Sequence, residues 1–272
     1  MAARPEPATP LVVIKLGGSI LTRKKEVERL RPKILARLAR EVSSVPEIPR
    51  ILLHGAGSFG HPGAVRFGLA RPPAPGETTG ARARGGAIVA AEVRRLHLAV
   101  LRELVRAGSS PASVPMATHA RNREGRLVAL DARPFSDALD RGLLPVSFGD
   151  VVPDEAWGAS ILSADTIAIE LARSLHPSRV IFVSDVPGLL DGPPIGRRRV
   201  VNPVTEEALE RLRPAAGAAD VTGGIRGKVA AVLAIARAGA DAGIISGLKD
   251  DELPRAIRGE TVYGSWARPG SG

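Results

Sequence analysis

Apolar positions along this chain follow two patterns, short unbroken runs and stripes spaced three and four residues apart. The runs stand at Leu11-Val12-Val13-Ile14 and Ile51-Leu52-Leu53, then within "PASVPMA" (111–117), "LLPVSFGD" (143–150), "RVIFVSDVPGLL" (179–190) and "AGIISGL" (242–248). Each is brief, and most stop at glycine, the signature of a strand buried on both faces. The stripes predict helices over 26–42, through Leu30, Ile34, Leu35 and Leu38, and over 83–107, through Ile88, Val89, Val93, Leu96, Val100, Leu101 and Leu104. Shorter helices are predicted at 135–141, 163–175, 205–212 and 223–240. Ser163 is placed to cap the fourth of these six, with Asp165 in its first turn, and Thr205 with the acidic residues after it reads as a capping box. "ARPPAPGETTG" (70–80) is too rich in proline and glycine for either pattern and is expected to be a mobile loop.

Strands alternating with helices imply a mainly parallel open sheet covered on both faces, a three-layer αβα sandwich. There is no long linker and no internal repeat, so residues 11–272 are expected to form one domain with an N-terminal and a C-terminal half. Residues 1–10 read as a disordered tail. They contain no apolar run and do not resemble a secretory signal.

Composition narrows the class further. Of 272 residues, 44% are apolar but only 3% aromatic, so the core must be aliphatic. There is no cysteine, which excludes disulfides, thiolate metal sites and a cysteine nucleophile and fits a cytoplasmic enzyme. No apolar stretch approaches the roughly 18 residues of a membrane span. The formal charge is +10, but arginine carries nearly all of it, scattered along the chain. With so few aromatics to stack on bases, a nucleic-acid partner is not expected. Lysine occurs only at 15, 24, 25, 33, 228 and 249, which makes each one conspicuous.

The candidate chemistry lies in glycine-rich turns. "HGAGSFGHP" (54–62) contains G-x-G-x-x-G, but the acidic residue some 20 positions on, Glu77, follows "RPPAPG" rather than a strand, so a dinucleotide fold is excluded. "GGIRGKV" lacks the first glycine and the hydroxyl of a P-loop, and the five histidines have no metal-binding spacing. What remains is a set of separate turns after strands and before helices: "KLGGS", "HGAGSFGH", "SADT", "SDVPGL" and "DVTGGIRGK". Glycines there let backbone N–H groups approach phosphate oxygens, and lysines in or just beyond three of the turns supply charge. The pattern describes a phosphate site assembled from distant pieces. His54, at a buried strand end, reads as structural.

These motifs resemble the amino acid kinase superfamily over residues 11–260. Within it, the glycine loop ending in Gly60-His61, taken with "DVTGG", resembles the isopentenyl phosphate kinases. The resemblance implies ATP-dependent phosphorylation of isopentenyl phosphate and of other prenyl phosphates, with Mg²⁺ and a homodimer; the fosfomycin kinases carry a similar glycine-histidine loop, so a phosphonate kinase, or another small-molecule kinase of the superfamily, is the alternative. It divides the domain into a phosphate-acceptor half, about 11–150, and a nucleotide-binding half, about 151–272. Lys15 with Gly17, Gly18 and Ser19 would hold the transferred phosphoryl group, and Lys24 would stabilise its charge, although Lys25 stands beside it. Ala56 and Gly57 would offer N–H groups between the substrates, the first requiring dihedrals open to a non-glycine residue. Gly60, His61, Gly149 and Asp150 would border the acceptor, with His61 on its phosphate. Asp165 would orient the catalytic lysines. Asp185, Gly188, Gly224 and Lys228 would lie along the nucleotide. The prenyl tail would rest in a roomy pocket left by Gly85, Gly86, Ala87, Ala90 and Ala91.

Overall fold

The computed structural model describes residues 10–23, 26–191, 199–211 and 224–270. All of the expected tail except Pro10 therefore lies outside the described residues, as do Lys24, Lys25 and the "DVTG" preceding Gly224. The strands are β1 (Val12–Leu16), β2 (Arg50–His54), β3 (Pro111–Ser113), β4 (Ala120–Arg123), β5 (Arg126–Leu130), β6 (Leu144–Phe148), β7 (Asp150–Asp154), β8 (Gly158–Leu162), β9 (Arg179–Ser184), β10 (Leu190–Asp191), β11 (Arg199–Val200), β12 (Asp241–Ser246) and β13 (Gly264–Ala267). The helices are α1 (Gly18–Leu21), α2 (Pro32–Ser43), α3 (Gly57–Arg66), α4 (Thr79–Arg106), α5 (Arg133–Asp140), α6 (Ala164–Leu175), α7 (Glu206–Arg211), α8 (Gly224–Arg237) and α9 (Glu252–Ile257).

Seven strands form the main sheet in the order β13-β12-β9-β1-β2-β6-β3, parallel except where β13 meets β12. In β1 every side chain is buried, and its residues alternate between the two faces. Val12, Ile14 and Leu16 join a core with Leu35 and Leu38 of α2, Leu96 and Val100 of α4, and Leu253 of α9. Val13 joins the opposite core, with Ile167 and Leu171 of α6 and Val229 and Val232 of α8. Each such fully buried aliphatic side chain contributes about 1.5–3 kcal/mol. The three-layer αβα sandwich is as expected. The chain places β2, β6 and β3 on one side of β1, then β9 and β12 on the other. The carboxyl ends of β1, β2 and β9 therefore flank the switch point where open sheets bind ligands.

A second, four-stranded sheet, β5-β4-β7-β8, is absent from the hydrophobic pattern. β6 runs into β7 through Gly149, where a Cβ would lie 3.3 Å from the Ala164 amide at the start of α6. Other boundaries moved for identifiable reasons. The helix expected over 26–42 starts at Pro32, with proline in the first turn, where its missing N–H costs nothing. "PASVPMA" yields only a three-residue strand before a 3₁₀ turn at Met116–Thr118. At α7 only half of the capping box exists: Ala208 N–H donates to Thr205 Oγ1, and no acidic residue stands at position 208 to reciprocate.

The proline-rich segment before α4 is pinned. Arg82, buried in the first turns of α4, donates to the carbonyls of Gly68, Arg71 and Ala159 and pairs with Glu77 at 3.1 Å. That guanidinium laces residues 68–77 to β8, where a mobile loop was expected.

Candidate active site

"HGAGSFGHP" is the end of a strand running into a helix. α3 starts at Gly57 and carries Pro62 in its interior. Proline there removes the hydrogen bond to the Ser58 carbonyl four residues back. That carbonyl is instead used from outside the helix, accepting from Glu28 N–H at 3.1 Å. Thr22 Oγ1 donates to the Gly18 carbonyl and accepts from Ser58 N–H at 2.9 Å. The turn after β1 is thus bonded to the first turn of α3.

Close backbone approach explains the glycines. A Cβ on Gly18 would sit 2.4 Å from Gly57 N, and one on Gly55 would sit 2.7 Å from Gly18 N. Gly57 also has φ +51, and its Cβ would meet Thr22 Oγ1 at 2.3 Å. Gly57→Ala is expected to cost about 2–4 kcal/mol through strain and overpacking, whereas Ala56→Gly, at φ −71 and ψ −24, should cost less than about 1 kcal/mol. Urea midpoints of the two variants check the contrast.

These turns surround one cavity of about 490 Å³. Lys15, Gly17, Gly18, Ser19, Ala56, Gly57, Gly60, His61, Gly149, Asp150, Asp165, Asp185, Gly224 and Lys228 all line it, and α3, α6 and α8 open onto it with their N-termini. Of the residues singled out from the sequence, Lys24 lies outside the described residues and Gly188 does not line the cavity. Gly188 has φ +153, and its Cβ would meet Ser265 Oγ at 2.4 Å, so its requirement for glycine comes from packing against β13.

Charge is arranged around the cavity. Lys15 is buried, and its Nζ lies 2.5 Å from Asp165 Oδ1 in the first turn of α6. Ser163 caps that helix by accepting from Thr166 N–H. Ser19 Oγ donates to Asp185 Oδ1 at 2.8 Å, joining the turn after β1 to the turn after β9. Lys228 Nζ donates to the Gly224 carbonyl at 3.3 Å. Asp150 is buried and gripped by Arg94 of α4 at 3.2 and 3.3 Å. Burial pushes its carboxyl above the usual carboxylate range, against the opposing pull of Arg94. Arg94 carries no signal in the sequence, because it meets Asp150 only through the fold.

The apolar side of the cavity differs from expectation. It is formed by Ala64, Val89, Val93, Val151 and Ile161. Gly85 is filled by Phe67, whose ring atoms a Cβ would meet at 2.7 Å, and Ala87 and Ala91 face outward. The cluster of small residues therefore serves helix packing and is no part of the cavity wall.

Beneath the glycine turn lies a buried polar chain. His54 Nδ1 is 3.1 Å from the Gly55 carbonyl, His54 Nε2 is 3.0 Å from His97 Nδ1, and His97 Nε2 is 2.8 Å from Ser113 Oγ. Burial holds His54 down to about 4 and His97 to about 3. Both rings are thus neutral in the folded state but titrate near 6.5 when unfolded. Their contribution to stability is complete above about pH 6.5 and is lost as pH falls through 4. At pH 5 the loss should be about 2 kcal/mol per ring. Urea unfolding at pH 7 and pH 5 measures it, and a His97→Phe variant should show a smaller pH dependence.

Residues 10–246 match the model of the amino acid kinase family. The chain belongs to that family. Among its relatives within the family, the isopentenyl phosphate kinase of Methanothermobacter thermautotrophicus is 31% identical, over 94% of this chain and 98% of that one. The Haloferax volcanii isopentenyl phosphate kinase is 34% identical over 83% and 88%. A solved isopentenyl phosphate kinase structure superposes with a TM-score of 0.82 at 28% identity, covering 94% of this chain and 100% of that one.

Proposed function

We propose that this chain transfers the γ-phosphoryl group of ATP to isopentenyl phosphate, giving isopentenyl diphosphate and ADP. The observation that carries the reading is that one cavity joins Lys15, Lys228 and His61 to a wall of Ala64, Val89, Val93, Val151 and Ile161. Such a site suits a ligand that is a phosphate at one end and a hydrocarbon at the other.

The acceptor is a phosphate monoester with a second pKa near 6, so at pH 7 it is already largely ionised and needs no general base. Its oxygen attacks the γ-phosphorus directly while the bond to ADP breaks. The protein's task is to position two anions and offset their repulsion. In this reading His61 and the Ala56 N–H hold the acceptor phosphate, with Gly60, Gly149 and Asp150 at its border. Lys15, Gly17, Gly18 and Ser19 hold the transferred group, oriented through Asp165, and Lys24 adds charge. Gly57 stands between the substrates. Asp185, Gly224 and Lys228 lie along the nucleotide, with Gly188 shaping the adjoining turn.

The proposal includes Mg²⁺, which would neutralise phosphate charge. Among the described residues no group of three metal-binding side chains converges. A nucleotide-borne Mg²⁺ fits, since that ion keeps several waters and relies on substrate phosphates for much of its shell. A homodimer and a cytoplasmic setting complete the reading. Among the described residues no helix is long and apolar enough to cross a membrane, and sedimentation velocity reads the assembly state.

A coupled ADP-release assay against isopentenyl phosphate, geranyl phosphate, fosfomycin, glutamate and UMP tests the function. The expected order puts isopentenyl phosphate first. Preference for glutamate or fosfomycin would overturn the assignment.

A further inference from the structure

The Gly55 carbonyl and the Ala56 N–H belong to one planar trans peptide and point in opposite directions. Whatever holds the carbonyl therefore aims the N–H. Ala56 lines the cavity, and among the described residues its N–H makes no hydrogen bond. The group holding the carbonyl is His54 Nδ1, at 3.1 Å, on a fully buried ring that does not line the cavity.

A carbonyl can only accept, so His54 must carry its proton on Nδ1. A neutral ring then presents Nε2 as an acceptor. His97 Nδ1, 3.0 Å away, must be the donor. That leaves His97 Nε2 as an acceptor, and Ser113 Oγ donates to it at 2.8 Å. Every hydrogen bond in the chain runs the same way, from β3 through α4 to the end of β2 and into the glycine turn. The rings are locked from the side as well, since Phe148 stacks on His54 with centroids 5.5 Å apart and packs against His97 at 4.3 Å with the two rings tilted by 38°. The charged groups around the pair are Lys15 of β1, which opposes a proton on His54, and Arg94 of α4, which opposes one on His97 and is itself paired with Asp150 of β7.

We infer that Ser113, His97 and His54 form a one-way hydrogen-bond relay that fixes the Gly55–Ala56 peptide and so aims the Ala56 N–H at the acceptor's phosphate. The inference rests on the phosphate-acceptor reading above. None of the three touches substrate. They are positioning residues whose influence reaches the site through one peptide plane.

Two measurements test it. Long-range imidazole ¹H–¹⁵N correlation spectra of the wild-type protein at pH 7 should show both rings neutral with the proton on Nδ1. A proton on Nε2 of either ring, or a charged ring, would overturn the relay without reference to any activity. In kinetics, His97→Phe keeps the stacking but removes the donor, while His97→Asn places an amide N–H where Nδ1–H stood. His97→Phe should raise KM for isopentenyl phosphate about tenfold, the cost of losing one well-directed hydrogen bond, with KM for ATP nearly unchanged. His97→Asn should restore it. If both variants behave alike, or both KM values move together, the chain is merely structural. Should His97→Phe not fold, Ser113→Ala is read the same way, with a smaller rise expected. A wild-type protein inactive on isopentenyl phosphate would refute the functional reading, and the tautomer measurement would still judge the relay.

Discussion

Replacing Lys15 with methionine is expected to leave a folded protein whose kcat on isopentenyl phosphate is lower by about three to five orders of magnitude, the scale of a cation aimed at a transferring phosphoryl group. The reason lies in its placement. Lys15 is buried at the carboxyl end of the central strand, on the face that meets α6, and Asp165 holds its ammonium at 2.5 Å. Methionine preserves the stem and its packing but leaves Asp165 half-stranded, which should lower stability by up to about 3 kcal/mol; the N-terminus of α6 moderates that penalty. A Lys15→Met/Asp165→Asn double variant separates the two effects: it should recover stability and none of the turnover. Calorimetry and initial rates on the three proteins give the comparison. A single variant retaining kcat within tenfold of the wild type would remove Lys15 from the chemistry.

His61→Ala should lose about a hundred- to a thousandfold in kcat/KM for the acceptor, comparable to deleting one preorganised donor from an anion site. It should still bind ATP with unchanged affinity. His61 is half-buried in the interior of α3, so its removal opens little of the core. His61→Asn shortens the reach to the phosphate and should fail nearly as badly. Titration calorimetry with ATP and rates with isopentenyl phosphate distinguish a lost acceptor contact from a damaged fold. Near-normal kinetics in a folded His61→Ala protein would refute the assignment.

The parts of this molecule that could be read from its residues are those where one local rule acts alone. β1, β2, β9 and β12 announce themselves because a strand buried on both faces must be apolar throughout. Ser163 marks the start of α6 because an orphan helix N–H needs an acceptor there. α3 was hidden because Pro62 normally ends a helix, and only Glu28, from a distant turn, uses the carbonyl that proline frees. Pro32 did mark the start of α2, but the apolar stripe upstream obscured it. The small sheet escaped because polar residues share its buried positions with Val152 and Leu162. Asn122, Asp154 and Ser160 are all buried, with Asp154 accepting from the amides of Glu124, Gly125, Ala156 and Trp157. Alternation of apolar and polar residues cannot reveal a strand whose buried face is a hydrogen-bond hub.

For the site, the turns were legible because glycine, lysine and helix starts are local signals. Their contacts were not. Nothing in the spacing joins Arg94 to Asp150, or His54 to His97 and Ser113, since the partners are up to 56 residues apart. The small residues of α4 misled for a related reason. A glycine leaves space only if no neighbour fills it, and Phe67 occupies the volume beside Gly85.

The most direct test is a crystal structure with isopentenyl phosphate and a non-hydrolysable ATP analogue bound together. The expected result places the acceptor phosphate within hydrogen-bonding distance of the His61 ring and the Ala56 N–H, its hydrocarbon against Val89, Val93 and Ile161, and the γ-phosphate beside Lys15. An acceptor phosphate bound elsewhere, with His61 contacting neither substrate, would contradict the account.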